Sequence, residues 1–155
     1  MPVDSTDKQT ARRPPRWLIK AFTRAHVVLN RLTGGRYFNS LSGDEVCFVT
    51  MTGAKSGRSM TIPLMFVPYE DGLLLVASMG GAPKDPAWYH NLVKHPNITV
   101  RHRGRAQRLR ARLARPEERP PLWPICDRAY APYAKYRSRT ERDIPIFVCR
   151  PVEAT

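Results

Sequence analysis

Residues Leu73 to Val100 read LLLVASMGGAPKDPAWYHNLVKHPNITV, and the order of elements in this stretch is the key to the fold. Leu73 to Ser78 is an apolar run of strand length, and Gly80-Gly81 breaks it. Asp85-Pro86 then offers an N-cap followed by a first-turn proline, which starts a helix that His95-Pro96 must end. Within that helix Trp88, Asn91, Leu92 and His95 share one face. Ile98 onward is β-prone again. Strand, glycine loop, short helix and strand therefore follow one another within 28 residues.

Working outward, Val46 to Thr52 and Thr61 to Pro68 read as strands, and Glu70-Asp71-Gly72 turns the second into the Leu73 strand. Ile98 to Arg103 and Arg105 to Leu113 form a hairpin about Gly104. In its second strand Leu109, Ala111 and Leu113 alternate with Arg108, Arg110 and Arg112, so one face is buried and the other wet. Pro116-Glu117-Glu118 opens a helix with Leu122, Trp123 and Ile125 as its apolar residues. A tyrosine-rich segment follows, and Ile144 to Cys149 closes the chain as a strand. About six mostly antiparallel strands with few helices predict an α+β protein built on a small β-barrel or rolled sheet.

Toward the N-terminus, residues 1–15 are polar, with Arg12-Arg13 and Pro14-Pro15, and are expected to form a mobile basic tail. Residues 16–155 are expected to form a single domain. Trp17, Leu18, Ala21, Phe22, Ala25, Val28, Leu29 and Leu32 recur near the helical period, and Gly34-Gly35 ends the run. Arg16, Lys20 and Arg24 line that stripe. Such an amphipathic helix over 16–32 caps a sheet or lies on an anionic membrane surface.

The 155 residues carry 26 Lys and Arg against 13 Asp and Glu, a net charge of +13 and a pI near 10.4. A field of that sign concentrates anions: nucleic acid, anionic lipid or a phosphorylated cofactor. No helix-turn-helix, aromatic RNA-binding strand or zinc-finger pattern accompanies it, so no specific nucleic-acid partner is expected. The four histidines show no metal-ligand spacing. Cys47, Cys126 and Cys149 form no CxxC pair and are expected as buried reduced thiols, which suits a cytoplasmic protein. No apolar stretch reaches the roughly 20 residues needed to cross a bilayer.

Three stretches carry chemistry. Gly53 to Arg58, GAKSGR, comes close to a phosphate loop, but alanine precedes the lysine and a strand follows where a P-loop needs a helix. Nucleotide hydrolysis is excluded, and a basic anion-holding turn remains. Ser78 to Pro86, SMGGAPKDP, leaves a strand and enters a helix N-terminus past two glycines, bringing backbone N–H groups to an open surface. Tyr130, Tyr133 and Tyr136 stand three residues apart and, if helical, form one aromatic wall with phenol tips. No GxSxG elbow, Cys–His spacing or convincing carboxylate pair occurs, so the chemistry is expected to belong to a cofactor.

In order and spacing, TMTGAKSGRSMTIPL, LLVASMGGAPKDPAWYHNLVKHPNITV and RDIPIFVCRP resemble the deazaflavin-dependent nitroreductases of actinobacteria, and the likeness spans Val46 to Pro151. The resemblance implies a mostly antiparallel split β-barrel with an N-terminal amphipathic helix, a crossing helix and short C-terminal helices. It implies coenzyme F-420 as the cofactor, with FMN the weaker alternative. Lys55, Ser56, Gly57 and Arg58 fall at the loop for the acidic tail. Ser78, Met79, Gly80, Gly81, Lys84, Trp88 and Asn91 fall at the second binding motif, and Pro63 and Met65 are grouped with these cofactor-binding residues. Family members commonly carry arginine where Ala54 and Met60 stand, so Arg58 is expected to supply the missing charge. Many carry tyrosine where Met65 stands.

The implied reaction is hydride transfer to a quinone or an activated nitroaromatic, with Ser78 bonding the acceptor or ring and Tyr130, Tyr133 and Tyr136 enclosing the acceptor. A non-enzymatic basic protein binding anionic lipid or nucleic acid is the competing reading. The resemblance also places the protein in the cytoplasm or peripherally on the inner membrane face through residues 16–32, as a monomer or homodimer.

Overall fold

The computed structural model describes residues 40–41 and 44–153. The basic tail and the 16–32 helix expected from the sequence lie outside the described residues. Eight strands form one antiparallel sheet: β1 (Ser40–Leu41), β2 (Asp44–Thr52), β3 (Ser59–Met65), β4 (Val67–Tyr69), β5 (Gly72–Val76), β6 (Asn97–His102), β7 (Arg105–Leu113) and β8 (Ile146–Pro151). The order is β1-β2-β6-β7-β8-β5-β4, with β3 on the other edge of β2. Helix α1 (Ala87–Lys94) crosses between β5 and β6, while α2 (Arg119–Ala129) and α3 (Pro132–Ser138) lie between β7 and β8. This is the expected α+β architecture.

Hydrophobic patterning explains which strands lie at the centre. Strands β5 and β8 are apolar at nearly every position because both their faces are covered. Leu73, Leu75, Phe147 and Cys149 enter one core with Cys47, Val49, Met51, Ile98, Val100, Leu109 and Leu92. The alternate residues Leu74, Val76, Ile146 and Val148 enter a second core under the C-terminal helices, with Leu122, Cys126 and Tyr133. Each fully buried Leu or Phe contributes about 1.5–3 kcal/mol relative to exposure. Strand β7 keeps its strict alternation, with Leu109 and Ala111 buried and Arg108, Arg110 and Arg112 exposed.

Several sequence-based boundaries move. The strand expected over 61–68 is two strands divided at Phe66, whose N–H donates to the Glu45 carbonyl at 2.9 Å. Pro116–Glu118 is a 3-10 turn ahead of α2. Asp85 does not cap α1: Pro86 occupies the cap position with no side-chain bond to the helix, and the Asp85 carboxylate instead receives Arg142 Nη1 at 2.7 Å. The tyrosine segment is not one helix. Tyr130 ends α2 in an extended conformation (φ −150°, ψ 95°), and Tyr133 and Tyr136 belong to α3. Pro132 accounts for the break, since in a continuous helix it would lack an N–H for the Arg128 carbonyl and its ring would clash with that carbonyl, whereas in the first turn of α3 neither matters.

Candidate active site

Among the described residues β3 pairs with β2, and its C-terminal half forms a wall. Pro63, which has no N–H to give, sits in that strand opposite Phe48, as expected of proline in an edge strand. Pro63, Leu64 and Met65 face Val76, Ser78, Met79 and Gly80 across a cavity of about 310 Å³ that Pro86, Trp88, Tyr130, Tyr133 and Tyr136 complete. The three tyrosines converge despite the helix break. Their ring centroids are 4.9, 6.1 and 6.3 Å apart, and the Tyr130 and Tyr136 hydroxyls are 3.1 Å apart. That hydrogen bond, followed by burial, pushes the Tyr130 phenol up to about 12. Burial raises the Tyr133 phenol further. Both are neutral donors at physiological pH.

The Ser78–Asp85 segment reverses the chain through three successive residues of positive φ, Met79 (46°), Gly80 (66°) and Gly81 (79°). Glycine is required at 81. A Cβ there would lie 2.6 Å from the Tyr136 carbonyl oxygen, so this turn packs directly on α3. Ser78 is 8% exposed, and its carbonyl accepts the Gly81 N–H at 2.9 Å.

A second cavity of about 470 Å³ is lined by Gly53, Ala54, Lys55, Ser56, Met60, Ile62, Ala87, Trp88, His90 and Asn91. Trp88 lines both cavities, which therefore adjoin. The loop beside it is held from α1. The Ala54 N–H donates to Asn91 Oδ1 at 2.8 Å, and the Ala54 carbonyl accepts from Lys94 Nζ at 2.8 Å. Within the loop, Gly53 and Arg58 bond at 2.8 Å, Gly57 N–H returns to the Gly53 carbonyl at 2.9 Å, and Gly57 takes φ 66°.

Most residues singled out from the sequence thus gather about two adjoining cavities. Lys55 and Ser56 line the second, whereas Arg58 is exposed and does not appear in its lining. Lys84 is exposed and lines neither cavity, and Gly81 supports the turn from beneath. Asn91 is 8% exposed and engaged within the protein: besides Ala54, its amide nitrogen donates to the sulfurs of Met60 at 3.4 Å and Met51 at 3.6 Å. Sequence reasoning assigned no role to Lys94 or Arg142. Both act on backbone carbonyls distant in sequence, a relation that no local pattern encodes.

An antiparallel split-barrel sheet, an aromatic cavity walled by a glycine turn and a basic loop beside the adjoining cavity define a class, the split-barrel proteins with room for a flat ring and an acidic chain. Comparison with known proteins narrows the class to a family. The family model described as F420H(2)-dependent quinone reductase matches residues 22–151. An F420H(2)-dependent quinone reductase of Mycobacterium tuberculosis is 33% identical over 141 residues, covering 86% of this chain and 95% of that protein. A solved F420-H2 dependent reductase is 40% identical with a TM-score of 0.62, covering 68% of this chain and 93% of that one. A second solved structure, titled a domain-swapped dimer, is 33% identical with a TM-score of 0.64, covering 86% of this chain and 97% of that one. The chain belongs to the F420H(2)-dependent quinone reductase family, and it is an enzyme that uses coenzyme F-420.

Proposed function

We propose that this enzyme reduces a quinone, with the coenzyme ring held in the tyrosine-lined cavity and its anionic tail held along the Gly53–Arg58 loop. The observation that carries the reading is the meeting of the two cavities at Trp88. A ligand with a planar ring at one end and an acidic chain at the other matches flat apolar walls on one side of that tryptophan and a lysine, a serine and a glycine turn on the other. When bound, the reduced coenzyme supplies a hydride. Converting a quinone to its hydroquinone consumes that hydride and one further proton, and the chain's task is to hold the proton and the acceptor.

Tyr130 keeps its proton at neutral pH, and it and Tyr136 present hydroxyls at the cavity wall, where a hydroxyl hydrogen-bonded to a quinone oxygen stabilises charge developing there. Ser78 Oγ, at the opposite wall, orients the acceptor or the ring. Tyr133 is more deeply buried and fixes the other two rings through edge contacts. Activated nitroaromatics share the quinone's flat, electron-poor shape and are secondary acceptors of the same site. The basic residues Arg16, Lys20 and Arg24 bring the enzyme to an anionic membrane surface, where a lipophilic quinone resides. Co-sedimentation with anionic vesicles, and none with neutral ones, is the expected sign of that contact.

A fluorescence titration with oxidised coenzyme F-420 tests the reading. Saturable one-to-one binding that FMN does not displace supports it, and displacement by equimolar FMN points to a flavin enzyme instead.

A further inference from the structure

Four carbonyl or carboxylate acceptors on the turn between β5 and α1 converge on one side chain supplied from 57 to 65 residues away. Arg142 Nε donates to the Ala82 carbonyl at 2.7 Å and Nη1 to Asp85 Oδ1 at 2.7 Å. Nη2 donates to the carbonyls of Ala77 at 3.1 Å and Ser78 at 2.9 Å. The Arg142 side chain is only 15% exposed. Its fork therefore occupies the inside of the turn whose outer side, at Ser78, Met79 and Gly80, lines the aromatic cavity.

We propose that Arg142 is a positioning residue for coenzyme binding, one that locks the turn over 77–85 in its cavity-forming shape and ties it to the tyrosine helix. This rests on the coenzyme site described above. The turn needs such a lock. Met79 is a non-glycine residue at φ 46°, a conformation that persists only when its surroundings enforce it. A planar fork that bonds several acceptors at fixed angles can enforce it, whereas a lysine is a point charge that satisfies them one at a time. On the far side Gly81 abuts the Tyr136 carbonyl, so the turn is clamped between Arg142 and α3. The same clamp keeps the coenzyme side of the cavity in register with the acceptor wall.

The test compares wild type with Arg142→Ala, Arg142→Lys and Asp85→Asn. The control is Arg150→Ala, which loses only a surface pair with Glu70. Arg142→Ala should raise the coenzyme Kd and KM about tenfold or more, the scale of lost bonds to a charged group. KM for the quinone should stay within about twofold. Arg142→Lys should recover part of the loss, Asp85→Asn should be milder, and Arg150→Ala should be silent. In protein without coenzyme, amide exchange over 77–85 should quicken in Arg142→Ala while β2 and β6 keep their protection. Unchanged exchange in that turn, or exchange that rises uniformly across the sheet, overturns the proposal, as does an unchanged coenzyme Kd in a folded Arg142→Ala. If wild type fails to bind the coenzyme, the functional reading falls, while the exchange result still decides the tether.

Discussion

The hydroxyls of Tyr130 and Tyr136 meet at 3.1 Å although one closes α2 and the other belongs to α3. Their hydrogen bond makes the two phenols one unit, in which loss of the Tyr130 proton is opposed. Tyr130→Phe should therefore lower kcat at saturating coenzyme and quinone by about 10²-fold, the lower range for a positioned proton donor. Coenzyme Kd should hardly change. Because the Tyr130 phenol is pushed up to about 12, kcat should show no Tyr130 ionisation between pH 6 and 9.

The Gly53–Arg58 loop separates two cations that look equivalent in the sequence. Lys55 lines the larger cavity and Arg58 does not. Lys55→Ala should raise the coenzyme Kd about tenfold. Arg58→Ala should act only through its field, about twofold at low salt and vanishing at high salt. Titrations at two ionic strengths check both, and equal losses would restore Arg58 as the replacement for the family's missing arginine.

Two glycines report on packing. A Cβ on Gly72 would lie 1.9 Å from the Cys149 carbonyl oxygen, and one on Gly81 would meet Tyr136 while holding φ 79°. Gly72→Ala should destabilise the sheet by about 3 kcal/mol or more, and Gly81→Ala by about 2 kcal/mol. Only Gly81→Ala should also weaken coenzyme binding in the protein that remains folded. Denaturant unfolding with parallel titrations distinguishes them.

Burial pushes the thiols of Cys47 and Cys126 up to about 12 and raises that of Cys149 as well. All three are free and buried. A thiol reagent at pH 8 should leave the folded protein unmodified and label three sites in denaturant, since the thiolate is the reactive form.

Acid stability has a local origin at Glu118. Hydrogen bonds from Arg112 and then from the Arg115 N–H hold its carboxyl down at about 2, below its ordinary 4.5. A depressed carboxylate stabilises the fold fully above its unfolded value, and the contribution fades as pH falls from 4.5 through about 2. Glu118→Gln should therefore unfold more readily than wild type at neutral pH, with the difference shrinking across that window in acid melts.

Much of this architecture was legible because hydrophobic period reports burial directly. The Leu109-Arg110-Ala111-Arg112 alternation gave a half-wet strand, and the unbroken Leu73-Leu74-Leu75-Val76 run gave a strand buried on both faces. A common site for the tyrosines and Ser78 was implied by the family resemblance, and they line one cavity. What stayed hidden was long-range. Asp85 looks like a cap because capping is local, yet Arg142 claims its carboxylate. Asn91 lines the second cavity and also holds the Ala54 N–H and two methionine sulfurs, ties that no local pattern encodes. The break at Tyr130 was readable from Pro132, and three-residue spacing proved the weaker signal.

The central claim is that this chain passes a hydride to a quinone within the tyrosine-lined cavity. Anaerobic mixing of the enzyme with reduced coenzyme F-420 and a soluble menaquinone analogue tests it most directly, by following the return of oxidised-coenzyme absorbance. The account requires quinone-dependent oxidation that saturates in the micromolar to tens-of-micromolar range of coenzyme and is weakened in both Lys55→Ala and Tyr130→Phe, through KM and kcat respectively. Binding without quinone-dependent oxidation, or oxidation indifferent to both substitutions, would contradict it.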